Sequence, residues 1–247
     1  MSAPLNRART SEAVAAHLLG LILDGSLRGG DRIDLDEVAR TLGVSRIPVR
    51  EGLLHLERDG LVTTAHYRGA YVSPFGPDTI REAFDLYGLL SAVTFRRVAA
   101  DPSTEVLEAL AKLDAALAGA TDVDDFEGTA REIRRVVNLA AAGPTLRALL
   151  RGFGGLVPAA ARFSIVDDME AERAASHAEV RAVQARDPDA AATATLDHIA
   201  MTAENAIAAL RRRGIIAEGR VSLEDDRAVH AQLVRQIEET ARRRRKA

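Results

Sequence analysis

Gly43-Val44-Ser45-Arg46-Ile47-Pro48-Val49-Arg50-Glu51, continued after four residues by Leu56-Glu57-Arg58-Asp59-Gly60-Leu61-Val62, is the stretch on which the fold turns. Gly43 closes one helical pattern, as a left-handed cap position prefers. That helix starts near Asp34 and turns Leu35, Val38, Ala39 and Leu42 inward. Ser45 suits the N-cap of the next helix, Arg46 to about Asp59, and Pro48 falls in its first turn, where a missing N–H costs nothing. Gly60 stops it. Helix, tight turn and second helix make a helix-turn-helix, a geometry in which the N-terminal residues of the second helix enter the DNA major groove.

Working outward, Ser11 to Asp24 places Val14, Leu18, Leu21 and Ile22 on one helical face, with Thr10 or Ser11 as cap, and Arg28-Gly29-Gly30 reads as a turn. Leu61 to Thr64 and Ala70 to Val72 are β-prone runs flanking His66-Tyr67-Arg68-Gly69, a hairpin signal. The predicted N-terminal domain, residues 1–73, is therefore a winged helix-turn-helix. Two prolines and a glycine within Ser73-Pro74-Phe75-Gly76-Pro77-Asp78 mark a linker, placed at 74–78.

Beyond it the chain has helical period throughout. Thr79 to Ala100, Thr104 to Ala118, Asp125 to Ala141, Thr145 to Phe163, Asp168 to Arg186 and Asp189 to Arg213 read as helices with short connections, an all-α bundle over 79–213. Residues 214–247 read as a helical extension ending in a basic tail, Arg242-Arg243-Arg244-Arg245-Lys246. The predicted fold class is mainly α.

Of the 247 residues, 47% are hydrophobic and 28% charged, which fits a globular protein rather than a disordered one. Cysteine is absent, so disulfides and thiolate metal sites are excluded. No apolar run reaches the roughly 18–20 residues of a membrane span, and Met1 to Arg9 lack a signal segment, so the expected location is the cytoplasm. The net charge of −3 leaves room for a locally basic nucleic-acid surface. Aromatic residues are too scarce for a platform that stacks single strands. No constellation of nucleophile, base and orienting group is visible, so no enzyme is expected.

Arg46 and Arg50 lie one helical turn apart, so both guanidiniums project from one face and can grip guanine O6/N7 or phosphate. Ser45 adds a hydroxyl, and the helix N-terminus adds N–H groups for a phosphate. Arg68 and Gly69 sit at the wing tip, where glycine admits the backbone to the duplex. Against this, Asp34, Asp36 and Glu37 crowd the start of the preceding helix and would repel phosphates that they faced.

The run Gly-Val-Ser-Arg-x-Pro-Val-Arg-Glu over 43–51, with Leu-Glu-x-x-Gly-Leu-Val over 56–62 and Arg28-Gly29-Gly30-Asp31-Arg32-Ile33 before it, resembles the GntR family of bacterial regulators over about residues 10–73. The resemblance implies a homodimer that binds double-stranded, pseudo-palindromic operator DNA through the positions of Ser45, Arg46, Pro48, Arg50, Arg68 and Gly69. A DNA-contacting arginine of the family, early in the second helix, is Asp36 here.

The helical part resembles the FCD ligand-binding domain of the FadR-like branch, through its helix count, Asn138-Leu139-Ala140-Ala141-Ala142-Gly143-Pro144, and Ala185-Arg186-Asp187-Pro188-Asp189-Ala190-Ala191 leading to His198. Most such domains hold a divalent metal through one Asp and three His. Those positions fall on Ala130, Arg134, Ser176 (with His177 one residue along) and His198. Arginine has no lone pair to give, and one or two ligands do not make a site, so neither metal nor cofactor is expected. Arg134 shares a helical face with Ala130 and Asn138. It either pairs with an internal acid or reaches the surface, or it anchors the carboxylate or phosphate of an effector with Asn138 and His198 beside it. The resulting expectation is a repressor released from its operator by a small organic acid. The alternative is a regulator whose C-terminal domain has degenerated and senses nothing.

Overall fold

The structure, a computed structural model, describes residues 4–65, 69–73 and 75–216, with side chains described for 10–64, 70–73 and 75–216. Arg68 and residues 217–247, with the basic tail, lie outside the described residues.

The N-terminal part runs α1 (Pro4–Leu23), β1 (Arg32–Ile33), α2 (Leu35–Leu42), α3 (Arg46–Arg58), β2 (Val62–Ala65) and β3 (Gly69–Val72). The short runs around 61–72 pair as expected: β2 lies antiparallel to β3 with Val62 opposite Val72 and Ala65 opposite Gly69. A third strand, β1, was not foreseen. It pairs with β3 through Arg32 opposite Tyr71 and Ile33 opposite Ala70, giving the order β1-β3-β2. Two residues are too few for an alternating pattern to register. Helix α1 begins at Pro4 rather than at a cap on Thr10 or Ser11, and Ser11 is buried within it.

Local chemistry sets the helix-turn-helix. Asp34 caps α2, its Oδ1 accepting from the N–H groups of Asp36 at 2.8 Å and Glu37 at 3.2 Å. The acids at the start of α2 thus complement its dipole. Gly43 ends the helix at φ +64°, where a side chain is disfavoured. Helix α1 packs directly on α3 at Gly52: a Cβ there would lie 2.9 Å from Val14 Cγ1 and 3.0 Å from the Ser11 carbonyl oxygen.

Helices α4 (Pro77–Ala100), α5 (Thr104–Gly119), α6 (Val123–Ala141), α7 (Pro144–Gly152), α8 (Leu156–Asp167), α9 (Met169–Gln184) and α10 (Pro188–Arg212) follow. Helix α4 starts inside the stretch read as linker, with Pro77 at its first turn. The helix expected over Thr145 to Phe163 is two helices, α7 and α8, separated at Phe153-Gly154-Gly155, and α8 continues to Asp167. Three glycines in four residues, Gly152, Gly154 and Gly155, carry enough backbone entropy to break the pattern there.

Among the described residues, two apolar clusters form the core. One lies wholly in the bundle, around Phe95, Leu110, Phe126, Ile133, Val137 and Val183. The other is continuous from the winged head into the bundle: Val14, Leu18 and Ile22 of α1 and Leu53 of α3 belong with Phe84 of α4, Leu156, Val157 and Ala160 of α8 and Ile207 and Leu210 of α10. No single described helix is long and apolar enough to cross a membrane.

Candidate DNA interface and bundle cavity

The expected reading face of α3 is free of the bundle. Ser45, Arg46 and Arg50 are exposed, while Val49, Leu53 and Leu56 on the opposite side are buried. Ser45 makes no capping hydrogen bond. Pro48 is buried, so it lies beneath this face and shapes the first turn. Gly69 opens β3, next to Arg68, which is outside the described residues. Two apolar residues that the sequence reading passed over share the outward face: Ile47 is 55% exposed and Leu54 61%. Both sit at helical spacing from Arg50, a position easily taken for core.

Arg46 and Arg50 are not equivalent. The Nε and Nη2 groups of Arg46 both donate to the two carboxylate oxygens of Asp36. Hydrogen bonding and charge from Asp36, helped by Asp34, hold the Arg46 guanidinium even further from deprotonation than usual. Arg50 has no ion pair among the described residues.

A cavity of about 520 Å³ lies in the helical bundle, walled by Phe84, Tyr87, Phe126, Phe153, Val157 and Ile199 among others. Arg134, Asn138 and His198 all line it, so the three residues proposed for an effector are brought together. Arg134 is nearly buried, at 15% side-chain exposure, and its Nη2 donates to Glu179 Oε1 at 2.7 Å. The guanidinium also lies 4.9 Å from the centre of the Phe95 ring. Glu179 is fully buried and Glu172 nearly so. Both were missed in the sequence. Their spacing with Ser176, four and then three residues apart on α9, in phase with buried Val180 and Val183, was the available signal.

His198 joins the two acids. Its Nε2 is 2.9 Å from Glu172 Oε2 and its Nδ1 3.1 Å from Glu179 Oε2. Glu172 also accepts from Ser164 Oγ at 2.5 Å and Thr202 Oγ1 at 3.1 Å. Burial alone would push the imidazolium's pKa down. The Glu179 charge and hydrogen bonds to Glu172 and Glu179 outweigh that and raise it to about 9. Burial likewise works against the Glu179 carboxylate, but Arg134 and His198 more than offset it and hold its pKa below the usual range. Two cations and two carboxylates thus face one another, and a buried charge survives only with such partners. Both His198 ring nitrogens lie within this network, and among the described residues the buried Arg134 Nη1 and Glu179 Oε2 have no hydrogen-bond partner.

These residues do not fit a divalent cation. Arg134 Nη2 lies 3.2 Å from His198 Nδ1, which puts a permanent positive charge where an approaching metal would need a lone pair. Among the described residues, no group of three or more His, Cys, Asp or Glu is arranged to hold a metal. His177 is on the surface, its Nδ1 2.7 Å from Asp114 Oδ2.

Comparison with known proteins agrees with this geometry. Residues 10–72 match the family described as bacterial regulatory proteins, gntR family. The chain is 36% identical over 215 residues to the uncharacterised HTH-type transcriptional regulator Rv0043c of Mycobacterium tuberculosis H37Rv, covering 84% of this chain and 85% of that protein. Its fold is similar to a crystal structure of a GntR-family transcriptional regulator from Pseudomonas syringae pv. tomato, with a TM-score of 0.52, 22% identity and coverage of 86% and 98% of the two chains. It is also similar to E. coli McbR/YncC, with a TM-score of 0.58, 19% identity and coverage of 83% and 98%. The family and these relatives are regulators and not enzymes. With Arg46 and Arg50 exposed on α3 and the similarity extending across most of both chains, the protein belongs to the GntR family of DNA-binding transcriptional regulators.

Proposed function

We propose that this regulator is a homodimeric repressor of the FadR-like branch, with an FCD-type sensing domain over 79–213, released from a pseudo-palindromic operator by a small organic acid. Ser45, Arg46 and Arg50 would meet the major groove, with Ile47 against a thymine methyl. Arg68 and Gly69 would meet the duplex at the wing.

The acid would sit in the bundle cavity, with its carboxylate toward the Arg134 guanidinium and Asn138, which both line it. His198 acts there as a positioning residue through Glu179. A volume of about 520 Å³ is of ligand size and walled largely by apolar side chains. Arg131 and Arg151 also line it, which favours an anion.

One observation carries the responsive character. The segment between α7 and α8 serves both the cavity and the reading helix. Arg151, Phe153 and Gly154 line the cavity, and Phe153 packs on Tyr87 with ring centres 5.9 Å apart. The same segment holds the far end of α3, where Arg58 Nη2 donates to the Gly152 carbonyl at 2.6 Å. Asp59 presses on Gly155 so closely that a Cβ there would lie 2.6 Å from Oδ2. A ligand that moves this wall therefore moves the end of the reading helix, provided that it binds the two arrangements unequally.

The test uses the full-length chain and a duplex that it enriches from a random-sequence pool. Straight-chain acids from acetate to decanoate, and benzoate, are titrated into the complex. Release by at least one acid, lost in Asn138→Ala, is expected. If none of them releases the duplex or gives heat on titration into the free protein, the organic-acid reading is overturned.

A further inference from the structure

The contact between Asp36 and Arg46 joins the first turn of α2 to the first residue of α3. Both side chains are more than half exposed, and exposed ion pairs add little to stability. What such a pair does fix is direction. Asp36 takes the Nε/Nη2 edge of the guanidinium with both carboxylate oxygens, and Asp36 is itself set by the Asp34 cap, which receives its backbone N–H. Asp36 does not occupy the Nη1/Nη2 end of the fork, which keeps two N–H donors on a side chain that is 62% exposed.

We infer that Asp36 is a specificity-determining positioning residue, which aims Arg46 end-on at a guanine and withholds it from phosphate. Charge and geometry both support this. An arginine next to a carboxylate makes a poor phosphate ligand, because Asp36 and the phosphate would repel one another. Its free end still offers two parallel N–H donors, which match guanine O6 and N7. Arg50, one turn further along and without an acidic partner among the described residues, is available for phosphate or base. The two arginines on one face thereby take different tasks, and the acids of α2 sharpen recognition rather than opposing it. This inference concerns the DNA-binding face alone and stands whether or not the bundle senses an acid.

The test compares wild type, Asp36→Ala, Asp36→Asn, Arg46→Ala and the Asp36→Ala/Arg46→Ala double variant, all full length. Each is titrated by fluorescence anisotropy, at several salt concentrations, against the duplex enriched by the wild type, against duplexes with single guanine replacements in each half-site, and against random-sequence duplex. One guanine should depend on Arg46. At that guanine Asp36→Ala should reduce discrimination by about fivefold or more, the low end of what a bidentate contact supplies. The same variant should bind random duplex more tightly, and its salt dependence should steepen by about one released ion. In the Arg46→Ala background, removing Asp36 should leave discrimination at that guanine unchanged. Discrimination that persists in Asp36→Ala, or tighter binding to all duplexes alike, would reduce Asp36 to a general charge brake and overturn the inference. So would the lack of any guanine that depends on Arg46. Should Asp36→Ala lose helicity by circular dichroism, Asp36→Asn, which keeps the shape without the charge, decides by the same readouts.

Discussion

Arg58, in the last turn of α3, reaches across to the bundle and donates through Nη2 to the carbonyl oxygen of Gly152, 94 residues away in sequence, at 2.6 Å. That carbonyl ends α7, where unsatisfied acceptors and the negative end of the helix dipole favour a cation. The bond ties α3 to the segment that walls the cavity.

If the bond transmits effector binding, Arg58→Ala should separate two measurements. Affinity for the enriched duplex should stay near wild type, because Arg58 lies at the end of α3 opposite the reading residues. The acid concentration needed for release should rise several-fold. Anisotropy titrations with and without acid give both, and equal release curves for variant and wild type would remove this bond from the pathway.

Arg134 and Glu179 test the buried network. Arg134→Ala leaves Glu179 buried without its main partner, and truncating one member of a buried pair typically costs about 3–5 kcal/mol. The Arg134→Met/Glu179→Gln double variant should be markedly more stable than Arg134→Ala, since it removes the stranded charge. Urea unfolding followed by circular dichroism checks the order, and a single variant as stable as wild type would contradict the pairing.

His198 makes stability depend on pH in a definite direction. Its folded pKa, about 9, lies above the ordinary 6.5, so the folded state binds this proton more tightly than the unfolded chain. The stabilisation is full below about pH 6.5 and is lost as pH rises through about 9. The melting temperature of the wild type should therefore fall between pH 7 and 9.5. His198→Gln should show a flatter profile over that interval, and parallel profiles would refute a charged His198 in the fold.

Much of this was legible in the sequence because it is local. The Asp34 and Gly43 ends of α2, the start of α3 at Arg46 and the exposure of Arg50 follow from caps, turns and a 3.6-residue period. The split between α7 and α8 was missed although its glycines were in view, since apolar period on both sides masked the break. The acids paired with Arg134 and His198 were hidden for a different reason. Glu179 is 45 residues from Arg134 and 19 from His198 in sequence, and only the packing of α6, α9 and α10 brings them together. Arg134 was weighed as either an internally paired residue or a ligand anchor. The structure shows the internal pair. Asp36 was seen as a liability to DNA binding, and its partner is the arginine ten residues on.

The most direct test of the DNA-reading face is the affinity of Arg50→Ala for the enriched duplex, measured beside wild type at one fixed salt concentration. A loss of about 1–3 kcal/mol in binding, together with relaxed base choice in one half-site, is the expected result. Unchanged affinity and unchanged base choice would show that DNA meets some other surface of the protein.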